Sequence, residues 1–212
     1  MKLILTSLIL AISLAGANAK EIAHKVVIKS IETVIQQTPE FQVNGIKDKK
    51  FNPRHWLEIE AELEVQTTND KGELDTKGFI PEITANWFVI IKDKQSGKPI
   101  MLNGKATFRE IRTKDKKAYV SAYISPDTLE KLTGENKPSD KDIEGVALVI
   151  SGPGIVSEGE HKKGLQKATV HEDTQWWSGS QYKTMDGAVL AKSKTPFAPL
   201  WTDRYPVEKP EL

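Results

Sequence analysis

Between residues 54 and 66 the chain alternates with a period of two. Leu57, Ile59, Ala61, Leu63 and Val65 fall on one side, and Glu58, Glu60, Glu62 and Glu64 on the other. Successive side chains of a strand point to opposite faces. This stretch therefore predicts a half-buried antiparallel strand with one apolar face and one carboxylate face. Neighbouring carboxylates on that face lie roughly 7 Å apart. The simplest reading of the row is a solvated face relieved by cross-strand lysines such as Lys25 and Lys29.

Other segments carry the same signal. Residues 22–35 are β-branched and interrupted by polar residues, which predicts a strand. Residues 83–92 are apolar on both faces, Trp87, Val89 and Ile91 against Phe88 and Ile90. A central strand covered on both sides reads this way, and so does an interface strand. Trp87, Phe88 and Ile90 are accordingly candidate contact residues. Asp93–Lys98 is a turn, after which residues 99–102 return as a strand. Residues 104–112 and 118–125, joined by Lys114-Asp115-Lys116-Lys117, read as a hairpin. Ser125-Pro126-Asp127 opens a short helix through about Leu132, with Ser125 as N-cap and Gly134 as terminator. Residues 143–151 form an apolar strand stopped by Gly152-Pro153-Gly154, and residues 164–171 are the expected last strand.

Short, turn-separated strands with one short helix predict an all-β fold, an immunoglobulin-like β-sandwich of about seven strands. Residues 67–82 read as a polar loop. Residues 172–212 hold Trp176, Trp177, Tyr182, Phe197, Trp201 and Tyr205 together with four prolines. This aromatic, Pro-rich C-terminal extension has too many aromatics for a disordered linker and is expected to pack on the sandwich or on a partner. The predicted organisation is a cleaved leader over 1–19, a sandwich over 20–171 and the extension over 172–212.

The leader is read from Lys2, the apolar run Leu3–Ala15 and the small residues of Ala17-Asn18-Ala19, with cleavage between Ala19 and Lys20. That run is too short to span a bilayer, and no second long apolar run follows. The expected location is the periplasm, the outer membrane's surface or the exterior. Removing the leader leaves about 190 residues, enough for one large domain. The chain has no cysteine, so disulfides, thiol chemistry and a lipobox are excluded. Its 30 basic and 29 acidic residues argue against nucleic acid and against a polybasic membrane surface. The small net charge is compatible with self-association.

Signals for chemistry are weak. His24, His55, His161 and His171 form no helical zinc pair and read as scattered surface residues. No Gly-x-Ser-x-Gly elbow is present. The loop Asn69–Asp75 resembles half a calcium loop without its closing glutamate. No metal or cofactor is expected, and the chain is not read as an enzyme. A hydrolase would need two carboxyl groups with perturbed pKa values in one cleft. The tail aromatics are the best lead. Trp176, Trp177 and Trp201 suit packing against a sheet, a protein interface or a platform for stacking sugars, with Tyr205 beside them.

Two runs go further. Pro53-Arg54-His55-Trp56-Leu57-Glu58-Ile59-Glu60, and Ser193-Lys194-Thr195-Pro196-Phe197-Ala198-Pro199-Leu200-Trp201 with Asp203-Arg204-Tyr205, resemble a family. Together with the leader, the size and the absence of cysteine, they are similar to the secreted immunoglobulin-like proteins of the verrucomicrobial type IV pilus-like gene cluster, found in mucin-degrading gut bacteria. The resemblance implies an immunoglobulin-like fold, a cell-envelope location and a link to pilus machinery or adhesion, and it carries no catalytic residues. A major pilin retains its apolar helix after processing, whereas here the expected cleavage follows the apolar run. The resemblance therefore points to an accessory, assembly or surface component that works through protein contacts. A carbohydrate-binding module for host glycans is the alternative.

Overall fold

The computed structural model describes residues 22–42, 45, 50–69, 71–136, 138–157, 160–171 and 174–210; the expected cleavage at Ala19 and Lys20 lies outside them. Ten strands form two sheets. The strands are β1 (His24–Gln37), β2 (His55–Thr67), β3 (Phe79–Lys92), β4 (Pro99–Arg112), β5 (Lys117–Ile124), β6 (Ile143–Ser151), β7 (Gln166–Ala168), β8 (Lys183–Met185), β9 (Val189–Ala191) and β10 (Val207–Glu208). The first sheet runs β1-β2-β5-β9. The second runs β10-β4-β3-β6-β7, with β8 also on β4. All pairings are antiparallel except β4 with β8. The fold is an all-β sandwich.

The core follows from period two. Leu57, Ile59, Leu63 and Val65 of β2 meet Trp87, Val89 and Ile91 of β3, with Leu102 and Phe108 of β4 and Val146, Leu148 and Ile150 of β6, in one buried cluster between the sheets. Burial of this kind stabilises a chain by about 1.5–3 kcal/mol per large apolar side chain. Helix α1 (Pro126–Thr133) closes one end. Ser125 Oγ accepts the Thr128 N–H at 3.3 Å, Pro126 opens the helix, and Gly134 ends it at φ 70°. That backbone region favours glycine. A second helix, α2 (Glu160–Gly164), precedes β7.

The structure revises four local readings. Residues 99–112 are a single strand, not two. The polar loop after β2 is shorter than read, because β3 already begins at Phe79. Strands β4 and β5 are not a hairpin: β4 pairs with β3 in the second sheet, and β5 pairs with β2 in the first. The turn between them delivers the chain to the first sheet, where the Val65 N–H of β2 donates to Lys116 O at 3.0 Å and extends the β2–β5 ladder. Finally, β7 is only three residues long, and strand pairing continues beyond it into β8, β9 and β10.

The histidines are also not all superficial. His24 is 5% exposed, and its Nδ1 lies 2.7 Å from Thr67 Oγ1. Its backbone N–H donates to Gly154 O, and its carbonyl accepts the Val156 N–H. Burial pushes its imidazole below the usual range. His55 is partly buried and His171 is exposed. Helix α2 includes His161.

Candidate functional site: the carboxylate face and its C-terminal cover

The carboxylates of β2 do not form a freely solvated row. Glu58 is 7% exposed. Its Oε1 accepts the Tyr123 hydroxyl at 2.7 Å, and its Oε2 accepts the Gln36 amide at 2.8 Å. Glu60 receives a two-pronged guanidinium: Arg204 Nε donates to Oε2 at 2.8 Å, and Nη2 donates to Oε1. The Tyr205 hydroxyl donates to the same carboxylate. Glu62 pairs with Lys117 at 2.9 Å, and Glu64 with Lys29 at 3.3 Å. Of the two expected lysines, Lys29 takes the role. Glu60 is neutralised by Arg204, which lies far along the chain, with a further hydrogen bond from Tyr205.

Electrostatics follow the geometry. Burial alone would push the Glu60 carboxyl up, but the bonds from Arg204 and Tyr205 outweigh it and hold the group below the usual range. The bond from Lys117 does the same for Glu62. Arg204 is raised by its bond to Glu60. Burial, and then the carboxylate each one donates to, push the Tyr123 and Tyr205 hydroxyls up. These carboxylates are held ionised, and the phenols are held as donors. That arrangement suits fixed binding and not proton transfer near neutrality, because a general acid needs a raised carboxyl.

The cover is built from aromatics. Phe197 stacks on Tyr123, with ring centroids 4.9 Å apart and planes at 12°. Trp201 stacks on Phe197 at 6.2 Å and 10°, and Trp56 meets Phe197 edge-on at 5.9 Å. Arg204 lies 3.8 Å above the Tyr119 ring, so its charge is shared between a ring and a carboxylate. Lys192, buried beneath the segment, donates to Ala198 O at 2.9 Å. Its backbone N–H and that of Ser193 donate to the Glu208 carboxylate. Burial lowers the lysine's affinity for its proton, while Glu208 and Glu58 oppose that effect.

Trp201 departs from this pattern of burial. It is 43% exposed and sits at φ 53°, a region in which a bulky side chain is strained by about 1–3 kcal/mol. Its indole, with Arg204 and Tyr205, walls a groove of about 390 Å3 whose floor is Glu32, Val34, Gln36, Glu58 and Glu60. A larger hollow of about 670 Å3 lies beside it, lined by Phe79, Arg112, Asp115, Lys117 and residues 202–207. Its charges alternate in sign, so it presents no single chemistry to a ligand.

The remaining candidate residues serve packing. Trp87 is fully buried in the core, and its Nε1 finds no acceptor. Ile90 is buried on the opposite face of β3 beneath Trp176 and Trp177, which are 3% and 7% exposed. The two indoles meet edge-on at 5.6 Å, and Trp176 Nε1 donates to Val170 O at 3.0 Å. Phe88 is half-buried beside them. β3 is therefore apolar on both faces because the extension covers its outer one. A sugar platform needs at least two of Trp176, Trp177 and Trp201 in solvent on one surface, and of the three Trp201 alone is exposed. Missing from the sequence reading are Glu32, Val34 and Arg204, ordinary surface residues until the fold gathers them. Among the described residues no group of three or more His, Asp or Glu is placed to hold a metal ion, and no helix is long and apolar enough to cross a membrane.

Asn69 Oδ1 accepts the Lys71 and Glu73 N–H groups, so the side chain that opens the calcium-like loop is spent on the turn itself. Asp70, Glu172 and Asp173 lie outside the described residues.

Comparison with known proteins gives two findings. A crystal structure of a protein from Akkermansia muciniphila is similar to this one, with a TM-score of 0.75 and 17% identity over 90% of this chain and 96% of that one. At that identity the likeness establishes the shared sandwich. No curated protein matches the chain. One family model matches from residue 17 to residue 211, nearly the whole sequence, and the chain belongs to the family that this model defines.

Proposed function

We propose that this protein is an exported, non-enzymatic component of a bacterial cell envelope, associated with type IV pilus-like structures and acting through protein contacts in assembly or adhesion. One observation carries the reading. The two runs that resemble the pilus-cluster family, residues 53–60 and 193–205, pack directly on each other, through Trp56 against Phe197 and Arg204 against Glu60. The residues that carry the resemblance therefore form one packed cluster. The fold likeness to the A. muciniphila protein over nearly the full length of both chains supports the same reading. Glu60 and Glu62, held below the usual carboxyl range by their cation and hydroxyl partners, favour a binding role over hydrolysis.

The test is affinity recovery of the tagged chain, residues 20–212, from its native envelope, followed by mass spectrometry. Recovery of pilus-assembly or other envelope proteins is the expected result. Recovery of the bait alone, with saturable binding to mucin glycans, refutes the protein-contact reading.

A further inference from the structure

We propose that the groove beside Trp201 receives a lysine or arginine side chain from a partner protein. The inference rests on the protein-contact reading and names the chemistry of the contact.

Four observations carry it. First, the groove's charges do not balance. Glu60 is matched by Arg204, and Glu58 accepts from tyrosine and glutamine and has the buried Lys192 ammonium for countercharge. Glu32 is exposed and pairs with no cation among the described residues. Second, Glu32 stands directly across from Glu60 in the β1–β2 register. Like charges in that relation oppose strand pairing, so folding gains nothing from the acid there. Third, Trp201 stacks on Phe197 yet remains 43% exposed, at a backbone angle that costs the fold. Indole is the best of the ring faces for a cation. Fourth, Val34, 48% exposed, lines the same groove as the acid and the indole and is two residues from Glu32 on β1. An alkyl stem with a charged tip fits that sequence of surfaces: methylenes over Val34, a cationic head between Trp201 and Glu32. A neutral sugar would use the indole and leave Glu32 without a role.

The test follows the Trp201 indole N–H by NMR in residues 20–212, assigned by its loss in W201F. The probes are Nα-acetyl-lysine amide, Nα-acetyl-arginine amide, the uncharged Nα-acetyl-citrulline amide and N-acetylgalactosamine. A saturable shift with the two cations, with binding weakened about two- to fivefold in E32Q and by raising salt from about 20 to about 300 mM, supports the proposal. Because E32Q removes a like-charge pair, it is expected to fold with unchanged or higher stability, which separates lost binding from lost structure. No shift with either cation overturns the proposal, as does an equal response to citrulline or to the sugar, or an unaltered titration in E32Q. Recovery of the same envelope partners by a W201A/E32Q variant as by wild type also overturns it, while the protein-contact reading stands.

Discussion

Phe197→Ala tests whether the C-terminal segment is part of the folded unit or a loosely attached strap. Phe197 is 1% exposed and lies between Tyr123 and Trp201, with Trp56 at its edge. Truncating a buried phenylalanine removes its transfer energy and leaves a cavity, together about 3–5 kcal/mol. In a chain of this size each kcal/mol lowers Tm by about 2–4 °C, so the expected fall is about 6–20 °C. The assay is urea and thermal unfolding, followed at once by tryptophan fluorescence and by far-UV circular dichroism. If the segment folds with the sandwich, both probes shift together and the urea slope is unchanged. If it undocks first, the loss is capped by its own docking energy, and fluorescence moves ahead of the backbone signal. A change below about 1 kcal/mol, the range of an ordinary surface substitution, would refute the assignment of residues 192–205 to the cooperative core.

Arg204→Ala is expected to cost about 1 kcal/mol, the upper end for a solvent-accessible pair, because its bonding is bidentate; denaturant unfolding at low and high salt checks it. Glu60 and Glu62 have folded-state pKa values below their unfolded ones. Their contribution is therefore full above the unfolded carboxylate pKa and is lost as pH falls through the folded values, which a pH series of unfolding midpoints reads, the dependence shrinking in E60Q. His24 behaves differently at its own pH. With its folded pKa below 6.5, the unfolded chain binds the extra proton first, so stability falls as pH drops from about 6.5 towards the folded value; H24Q should flatten that segment of the curve. Gly104→Ala would place a Cβ 1.9 Å from Val189 O, so β9 must shift; a loss of about 3 kcal/mol or more, with faster hydrogen exchange across β5–β9, is expected. Gly187→Ala, with nothing near its Cβ but φ 70°, should cost only about 1 kcal/mol of backbone strain.

What the sequence made legible was local. The alternation at residues 57–65 located β2 and its inward face, and the Ser125–Pro126–Gly134 pattern located a helix to within a residue, because capping and period two are short-range physics. The β4–β5 connection was illegible for the same reason. Two alternating runs joined by a polar turn look identical whether the chain folds back in one sheet or crosses to the other. The choice is made by the Lys116 carbonyl, which bonds to β2. The carboxylate face was visible as a row of acids, but its neutralisation was not, since Arg204 lies 144 residues from Glu60. Trp176 and Trp177 read as too apolar for a free tail, yet whether they face a sheet or a ligand is a matter of exposure, which no spacing encodes.

The extension accounts for both anomalies of the sequence at once. A two-layer sandwich buries one face of each sheet, so a strand apolar on both faces demands a second layer, and a face lined with acids is relieved when a layer brings it cations and hydroxyl donors. Trp176, Trp177 and Tyr182 supply it over β3 and β6, and residues 192–205 supply it over β2 and β5. Between and after them, β8 and β10 pair with the free edge of β4, and β9 pairs with the free edge of β5. Edges that would otherwise offer unpaired backbone to another chain are thereby occupied. A chain without disulfides is fastened by this wrapping, in apolar contact and charge-assisted bonds. The first sheet keeps β1 as its open edge, disturbed by a register irregularity between Ile28 and Ser30, which discourages pairing. Contact through side chains is then better provided for than strand addition, and the side chains left in solvent around the wrap include those of Glu32, Val34 and Trp201.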